Sequence, residues 1–283
     1  MRSCFYDHAA RRNSFAPSNL RSGLKEGNNV SASIATVTGG GSGIGAAIAT
    51  TLGQRGFHVI VTDLDLASAT KTAQGIGSAQ AMQLDVTDPV ACEVLVQAIV
   101  AEHGRLDVWI SNAGISKMQR FVDISPEDLA RNFEVNTYGA FFCGQSAARA
   151  MIKLGKPACI VNTASMAAKE GGVSFLSDYV ASKFAVLGLT QAMAAELAPY
   201  AIRVNCVCPG YVATPMQSRE LAWEAELRGV DEEAVMASYL SNTPLGRLET
   251  AADVAKVVAF LVSDDAAFIT GEAISINGGA YMD

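Results

Sequence analysis

Beyond residue 33 the chain alternates between two hydrophobic rhythms. Short, near-continuous apolar runs occur at Ile34–Val37, Phe57–Thr62, Ala79–Leu84, Leu106–Ile110, Ala158–Asn162, Ile202–Val207 and Ala273–Ile276. Their β-branched content and abrupt polar ends predict strands buried on both faces. Between them, apolar residues recur at helical spacing. Ile44, Ile48 and Leu52 precede a stop at Gly56, and Leu66 to Gln74 follows the second strand. Val90, Val94, Ala98 and Ile99 lie between a Pro89 start and Gly104. Further helices are expected over Pro126 to Glu134, Asn136 to Leu154, from near Asp178 onward, and over Ala251 to Leu261. Alternating strands and helices predict an α/β fold with a parallel sheet covered by helices on both faces.

Two stretches break this rhythm. Residues 1–33 carry five basic against two acidic residues, scattered Ser and Asn, no sustained periodicity, and Pro17. They read as a disordered extension, which leaves 34–283 as a single domain. From Tyr211 to Arg247 a loop-rich excursion mixes charges with aromatics, including Met216, Arg219, Glu220, Trp223 and Tyr239. An insertion after a strand's carboxyl end is a natural lid over a substrate pocket. A third stretch, Ala185 to Ala198, is apolar on nearly every face, which implies burial on two sides and a subunit partner.

Composition narrows the function classes. A chain of 283 residues with 50% hydrophobic content can bury a large core, and its net charge of −7 argues against nucleic acid as a partner. No apolar run reaches the roughly 18 residues needed to cross a bilayer. The six cysteines show no C-x-x-C pairing, and most lie inside apolar segments. Cys206 and Cys208 fall on one side of a strand. Buried free thiols in a reducing, cytoplasmic compartment are the expectation. With three scattered histidines, no metal site is expected.

The chemistry gathers at strand ends. The first strand runs into T-G-G-G-S-G-I-G at 38–45 and then a helix, the order of a phosphate-cradling turn aimed at a helix N-terminus. The second strand ends in Asp63, placed to accept hydrogen bonds from the adenosine ribose hydroxyls of a dinucleotide. With no cation at Ser42 or Leu64, that acid would repel a ribose phosphate, favouring NAD over NADP. The third strand stops at Asp85–Val86, the fourth at Ser111–Asn112–Ala113–Gly114, and the fifth at Thr163–Ala164–Ser165. A sheet presenting small polar groups at its carboxyl edge is a doubly wound, Rossmann-type sheet with its ligand crevice there.

Tyr179 and Lys183, in Y-V-A-S-K, stand four residues apart on one helix face. A phenol has a pKa of about 10, so a neighbouring ammonium that stabilises phenolate would let it exchange protons near neutral pH. With the glycine loop, this pair gives the chain a resemblance to the short-chain dehydrogenase/reductase family of the compact type, covering nearly everything from Ile34. The matching blocks are 38–45, Asp63, Asp85–Val86, N-A-G at 112–114, Asn136, Ser165, Y-V-A-S-K and P-G-Y-V-A-T-P at 209–215.

The resemblance implies Tyr179 as general acid and base, Ser165 as donor to the substrate oxygen, Lys183 as holder of the cofactor ribose, and Asn136 as the residue that distorts its helix and orders water toward Lys183. It implies a cofactor lined by Gly39, Gly41, Ser42, Gly43, Ile44, Gly45, Asp63, Asp85, Val86, Asn112, Ala113, Gly114, Pro209, Gly210, Val212 and Thr214, and a homotetramer or homodimer. Likeness of residues 216–229 to lids of sugar-alcohol and vicinal-diol dehydrogenases favours a small polyol or diol, with Gln217, Glu220 and Trp223 reading hydroxyls. A 3-oxoacyl-thioester or hydroxysteroid enzyme shares the same blocks. An NAD-binding scaffold without turnover is disfavoured by the intact Ser165, Tyr179 and Lys183.

Overall fold

Successive strand residues point to opposite faces of a sheet, and this chain uses the alternation to build two cores. The computed structural model describes residues 32–282, so the expected extension over 1–33 lies almost wholly outside the described residues. The strands are β1 (Ile34–Thr38), β2 (His58–Asp63), β3 (Ala79–Gln83), β4 (Val108–Ser111), β5 (Ala158–Thr163), β6 (Ile202–Pro209) and β7 (Ala273–Ile276). All neighbouring pairs are parallel, in the order β3-β2-β1-β4-β5-β6-β7. This is the doubly wound sheet expected from the sequence.

Ala35, Val37, Val59, Val61, Val108, Ile110, Cys159 and Val161 face one side. There they meet Ile48 and Leu52 of helix α1 (Gly43–Gln54), Ala69 and Ala73 of α2 (Leu66–Gln74), and Val254, Val258 and Leu261 of α10 (Ala251–Leu261). Ile34, Ile60, Trp109 and Ile160 face the other side. Their partners are Leu95 and Ile99 of α3 (Pro89–His103), Cys143, Ala147 and Met151 of α5 (Gly139–Leu154), and Ala194 of α7 (Ser177–Leu197). Cys206 and Cys208 share a third cluster on the same side as each other, as their spacing implied, and the five described cysteines are free and buried.

The chain winds outward from β1 to β3, then returns to place β4 on the other flank of β1. Connections after β1 and β4 therefore diverge and leave a crevice above their carboxyl ends. Two departures from the sequence expectation bear on that crevice. The break between α4 (Pro126–Phe133) and α5 is a π-helical turn, Glu134–Tyr138, which keeps the two helices continuous. The excursion over 211–247 is a helical pair, α8 (Pro215–Arg228) and α9 (Glu232–Ser241), and the loop-rich reading is corrected accordingly. Thr214 and Asp231 cap these helices, Pro215 opens the first, and a small core of Ala225, Val235 and Tyr239 packs with Tyr211, Leu221 and Leu248. Apolar residues too sparse to signal amphipathic helices are enough once the pair shares them. Between β5 and α7 lies the short helix α6 (Ala167–Glu170), which the pattern did not signal.

Candidate functional site

The loops after β1 and β4 are locked together before any ligand is considered. Thr38 Oγ1 accepts from the amides of Asn112 and Ala113 at 3.0 and 3.1 Å, while Asn112 Nδ2 donates to the carbonyls of Thr38 and Gly39 at 3.1 and 3.2 Å. A side chain at Gly39, where φ is +60°, would stand 2.8 Å from Ala113 Cα. At Gly45 a Cβ would lie 2.0 Å from the Gly39 carbonyl oxygen, so the first turn of α1 closes on the loop only as glycine.

Above these loops opens a cavity of about 630 Å³. Most of the expected residues line it: Gly39, Ser42, Gly43, Ile44, Asp63, Asp85, Val86, Asn112, Ala113, Gly114, Ser165, Tyr179, Lys183, Pro209, Gly210, Val212 and Thr214. Gly41, Gly45 and Asn136 stand behind the wall. Gly41 donates its amide to Asp63 Oδ2 at 2.9 Å, and a Cβ there would sit 2.8 Å from that oxygen, so its size sets the place of the acid. Asp63 also accepts from the Asp65 amide at 3.1 Å. Asp85 is held by the Thr87 side chain and amide, which together keep its carboxyl below the usual range.

The floor of the cavity comes from β5 and α7. Ser165, whose Oγ accepts the Ala167 amide at 3.1 Å, and Tyr179 line it together. Lys183, one turn along, is 4% exposed, donates to the Thr163 carbonyl at 2.9 Å, and lies 5.7 Å from the Tyr179 ring centre. Burial drives the Tyr179 pKa well up, and the charge of Glu220 adds to this, against a smaller downward pull from Ser165. Burial lowers Lys183 to about 8. Among these residues enclosure thus favours the protonated phenol.

Asn136 sits on the π-helical turn. Its Oδ1 accepts from the Ile115 amide at 2.8 Å, and its Nδ2 donates to the Ile115 carbonyl and Ser182 Oγ at 3.0 Å each. Gly114 lies between Asn136 Oδ1 and Lys183 Nζ; a Cβ on it would be 3.2 and 3.3 Å from them. Asn132 donates to buried Asp178, which also accepts the Tyr179 amide at 2.9 Å. That carboxylate thus fixes the start of α7, a role its place beside Tyr179 could have signalled.

The helical pair roofs the other end. Gln217, Glu220 and Glu224 line the cavity, whereas Trp223, expected to join them, does not. Ser116 Oγ donates to Glu220 Oε1 at 2.5 Å, and Tyr239 Oη donates to Glu224 Oε2 at 2.6 Å, its ring stacked on Tyr211 at 4.3 Å. Ser116 and Glu220 are 104 residues apart, so no local pattern announces their pairing.

Glu249 was also missed. It is 7% exposed, accepts the Gly210 amide at 2.8 Å, and is raised by burial to about 8. Its main chain binds the segment from both sides, Ala213 donating to its carbonyl at 2.8 Å and its own amide donating to that of Tyr211 at 2.9 Å. On the far side of Gly210, Asn277 packs so close that a Cβ at 210 would lie 2.8 Å from its own, and Asn277 Nδ2 donates to the Tyr281 carbonyl at 2.8 Å.

A nucleotide crevice joined to a Ser, Tyr and Lys cluster defines the site of a nicotinamide-dependent oxidoreductase. Comparison with known proteins agrees. The family model described as enoyl-(acyl carrier protein) reductase matches residues 39–281. A short-chain dehydrogenase/reductase of Armillaria gallica is 39% identical, covering 88% of this chain and 96% of its own. The (3R)-3-hydroxyacyl-CoA dehydrogenase of Mus musculus is 36% identical, covering 88% and 96%, and the L-2,3-butanediol dehydrogenase of Corynebacterium glutamicum 36%, covering 87% and 97%. Among solved structures, sorbitol-6-phosphate 2-dehydrogenase of Erwinia amylovora superimposes with a TM-score of 0.84 at 34% identity, covering 88% of this chain and 100% of that one. The chain belongs to the short-chain dehydrogenase/reductase family, and is an oxidoreductase acting on CH–OH groups. Among the described residues no helix is long and apolar enough to cross a membrane, and no cluster of His, Cys, Asp and Glu is placed to hold a metal.

Proposed function

We propose that the protein is an NAD-dependent oxidoreductase interconverting a secondary alcohol and a ketone on a small, neutral, hydroxylated substrate such as a polyol or vicinal diol. The observation that carries the chemistry is the gathering of Ser165, Tyr179 and buried Lys183 in the one cavity that the glycine loop and Asp63 also line. The residues fit the cofactor: the loop gives the pyrophosphate a cradle at Gly43, where φ is +52° and an added Cβ would meet only Thr214, at 3.5 Å. Asp63 suits ribose hydroxyls and opposes an added phosphate.

Bound nicotinamide supplies the hydride donor or acceptor. The remaining work falls to the chain. Ser165 holds the substrate oxygen and offsets its developing negative charge during reduction. Tyr179 gives its hydroxyl proton to that oxygen in reduction and takes it back in oxidation. The raised pKa suits the acid role at neutral pH, and the oxidative direction calls for alkaline conditions. Lys183, with Asn136 beyond Gly114, lies where a proton can be passed on toward solvent.

The polar roof supports the hydroxylated substrate class, as does likeness to a butanediol dehydrogenase. Likeness to a 3-hydroxyacyl-CoA dehydrogenase favours the competing thioester reading. Outward residues of α7, with Phe184 43% exposed among Ala181, Gly188, Ala192 and Ala195, support self-association as a homodimer or homotetramer. The test is turnover of diols, polyols and 3-oxoacyl thioesters with NAD and NADP, together with Tyr179→Phe. The variant should lose about 10²- to 10⁴-fold in turnover while still binding NADH. Retained turnover removes Tyr179 from the chemistry, and preference for the thioester removes the diol reading.

A further inference from the structure

The inner side of α8 carries two carboxylates one helical turn apart, Glu220 and Glu224, and both line the cavity. Their situations differ. Glu224 is already engaged, by Tyr239 Oη at 2.6 Å and by Arg228 at 2.9 Å. Glu220 receives Ser116 Oγ on Oε1, and among the described residues no side chain or amide donates to its Oε2. Burial raises its pKa against the pull of Ser116 and of the charge on Arg219, which is exposed. Glu220 is also near enough to Tyr179 for its charge to oppose ionisation of the phenol. Glu220 thus brings a carboxylate oxygen with an acceptor position to fill to the cavity that Ser165 and Tyr179 also line.

Accepting groups placed there meet repulsion, and apolar groups leave the charge desolvated and unpaired. A hydroxyl one carbon from the reacting carbinol supplies the missing donor. A 3-oxoacyl thioester carries only methylenes on the carbons flanking its keto group, with a carbonyl acceptor one carbon further on, and a 2-hydroxy acid offers an anion. We propose that Glu220, positioned by Ser116, is the specificity-determining residue of this site, accepting a hydrogen bond from a hydroxyl vicinal to the reacting carbon and selecting neutral vicinal diols over plain alcohols and 2-hydroxy acids. This deepens the diol reading above and rests on it.

The experiment measures kcat/KM with NAD for three alcohols that share a CH₃–CHOH unit: 1,2-propanediol, 2-butanol and lactate. Comparing ratios removes any effect of Glu220 on Tyr179, since all three pass through the same phenol. In the parent enzyme the diol should exceed 2-butanol by about 10- to 100-fold, the range for a hydrogen bond to a charged acceptor, and lactate should be the poorest. Glu220→Ala should collapse the diol preference to within a few-fold. Ser116→Ala, which frees the carboxylate to turn, should reduce it partly. Glu220→Gln should shift the alkaline rise of oxidation to lower pH, because a negative charge that opposes phenolate is gone. NADH binding by fluorescence confirms that each variant is folded.

A diol preference that survives Glu220→Ala overturns the assignment and leaves the diol reading standing. A parent enzyme that turns over no diol or polyol but reduces 3-oxoacyl thioesters overturns both.

Discussion

The two ends of the cavity are built on different principles. At the proposed nucleotide end, main chain interlocks with short polar side chains: Thr38 Oγ1 takes the amides of 112 and 113, Gly39 and Gly45 leave clearances that no added side chain could share, and Gly41 sets Asp63 in place. At the substrate end, side chain meets side chain across the helical pair, Ser116 on Glu220 and Tyr239 on Glu224, over a core of a few residues. Rigid main-chain geometry suits a ligand that never changes, whereas side-chain pairs on a separately packed roof can be exchanged without disturbing the sheet. The difference explains how one framework serves relatives as unlike in substrate as a butanediol and a hydroxyacyl-CoA dehydrogenase.

Substitutions at the two ends should therefore fail in different ways. Gly45→Ala places a methyl 2.0 Å from the Gly39 oxygen. It should abolish NADH binding and lower the melting temperature, read by fluorescence titration and calorimetry; normal binding would mean the contact yields easily. Asp63→Ala removes the acceptor proposed for the ribose together with that of the Gly41 and Asp65 amides. It should cut kcat/KM for NAD about 10- to 100-fold while sparing NADP, so that the cofactor ratio moves and the substrate ratio does not.

Glu249 stands at the seam between the two ends and gives a pH test. Its folded pKa, about 8, lies above the ordinary carboxyl value, so the folded state retains a proton that the unfolded chain releases. The resulting stabilisation is full below the ordinary value and is lost as pH rises through about 8. Glu249→Gln should flatten that part of the stability profile and melt higher than the parent at pH 9; parallel profiles would contradict the buried-acid account. The smallest effect belongs to Tyr239→Phe, which deprives Glu224 of one donor. About 1 kcal/mol is expected, or roughly 2–4 °C in melting temperature, with cofactor affinity unchanged.

The same contrast decides what the sequence could reveal. The nucleotide end was legible because its requirements are local. A strand, three crowded glycines and a helix must be consecutive, and an acid must follow at the end of the next strand. Tyr179 and Lys183 were legible for the same reason, being one turn apart. The roof was not. Glu220 meets Ser116 only after the sheet has brought residues 104 apart together, and the weak apolar pattern of 215–241 hid two helices whose core is shared. Glu249 looked like any surface acid until β6 and its following loop enclosed it. A helical Asn says nothing of register, so a distortion at Asn136 was expected only through the resemblance, and its π-helical form was not.

The clasp of Asn277 against Gly210 carries a practical consequence for anyone who handles the protein. The side chain that braces Gly210 is itself held by the Tyr281 carbonyl, so a substitution or cut that frees residue 281 would loosen Asn277 and be felt first in the loop after β6.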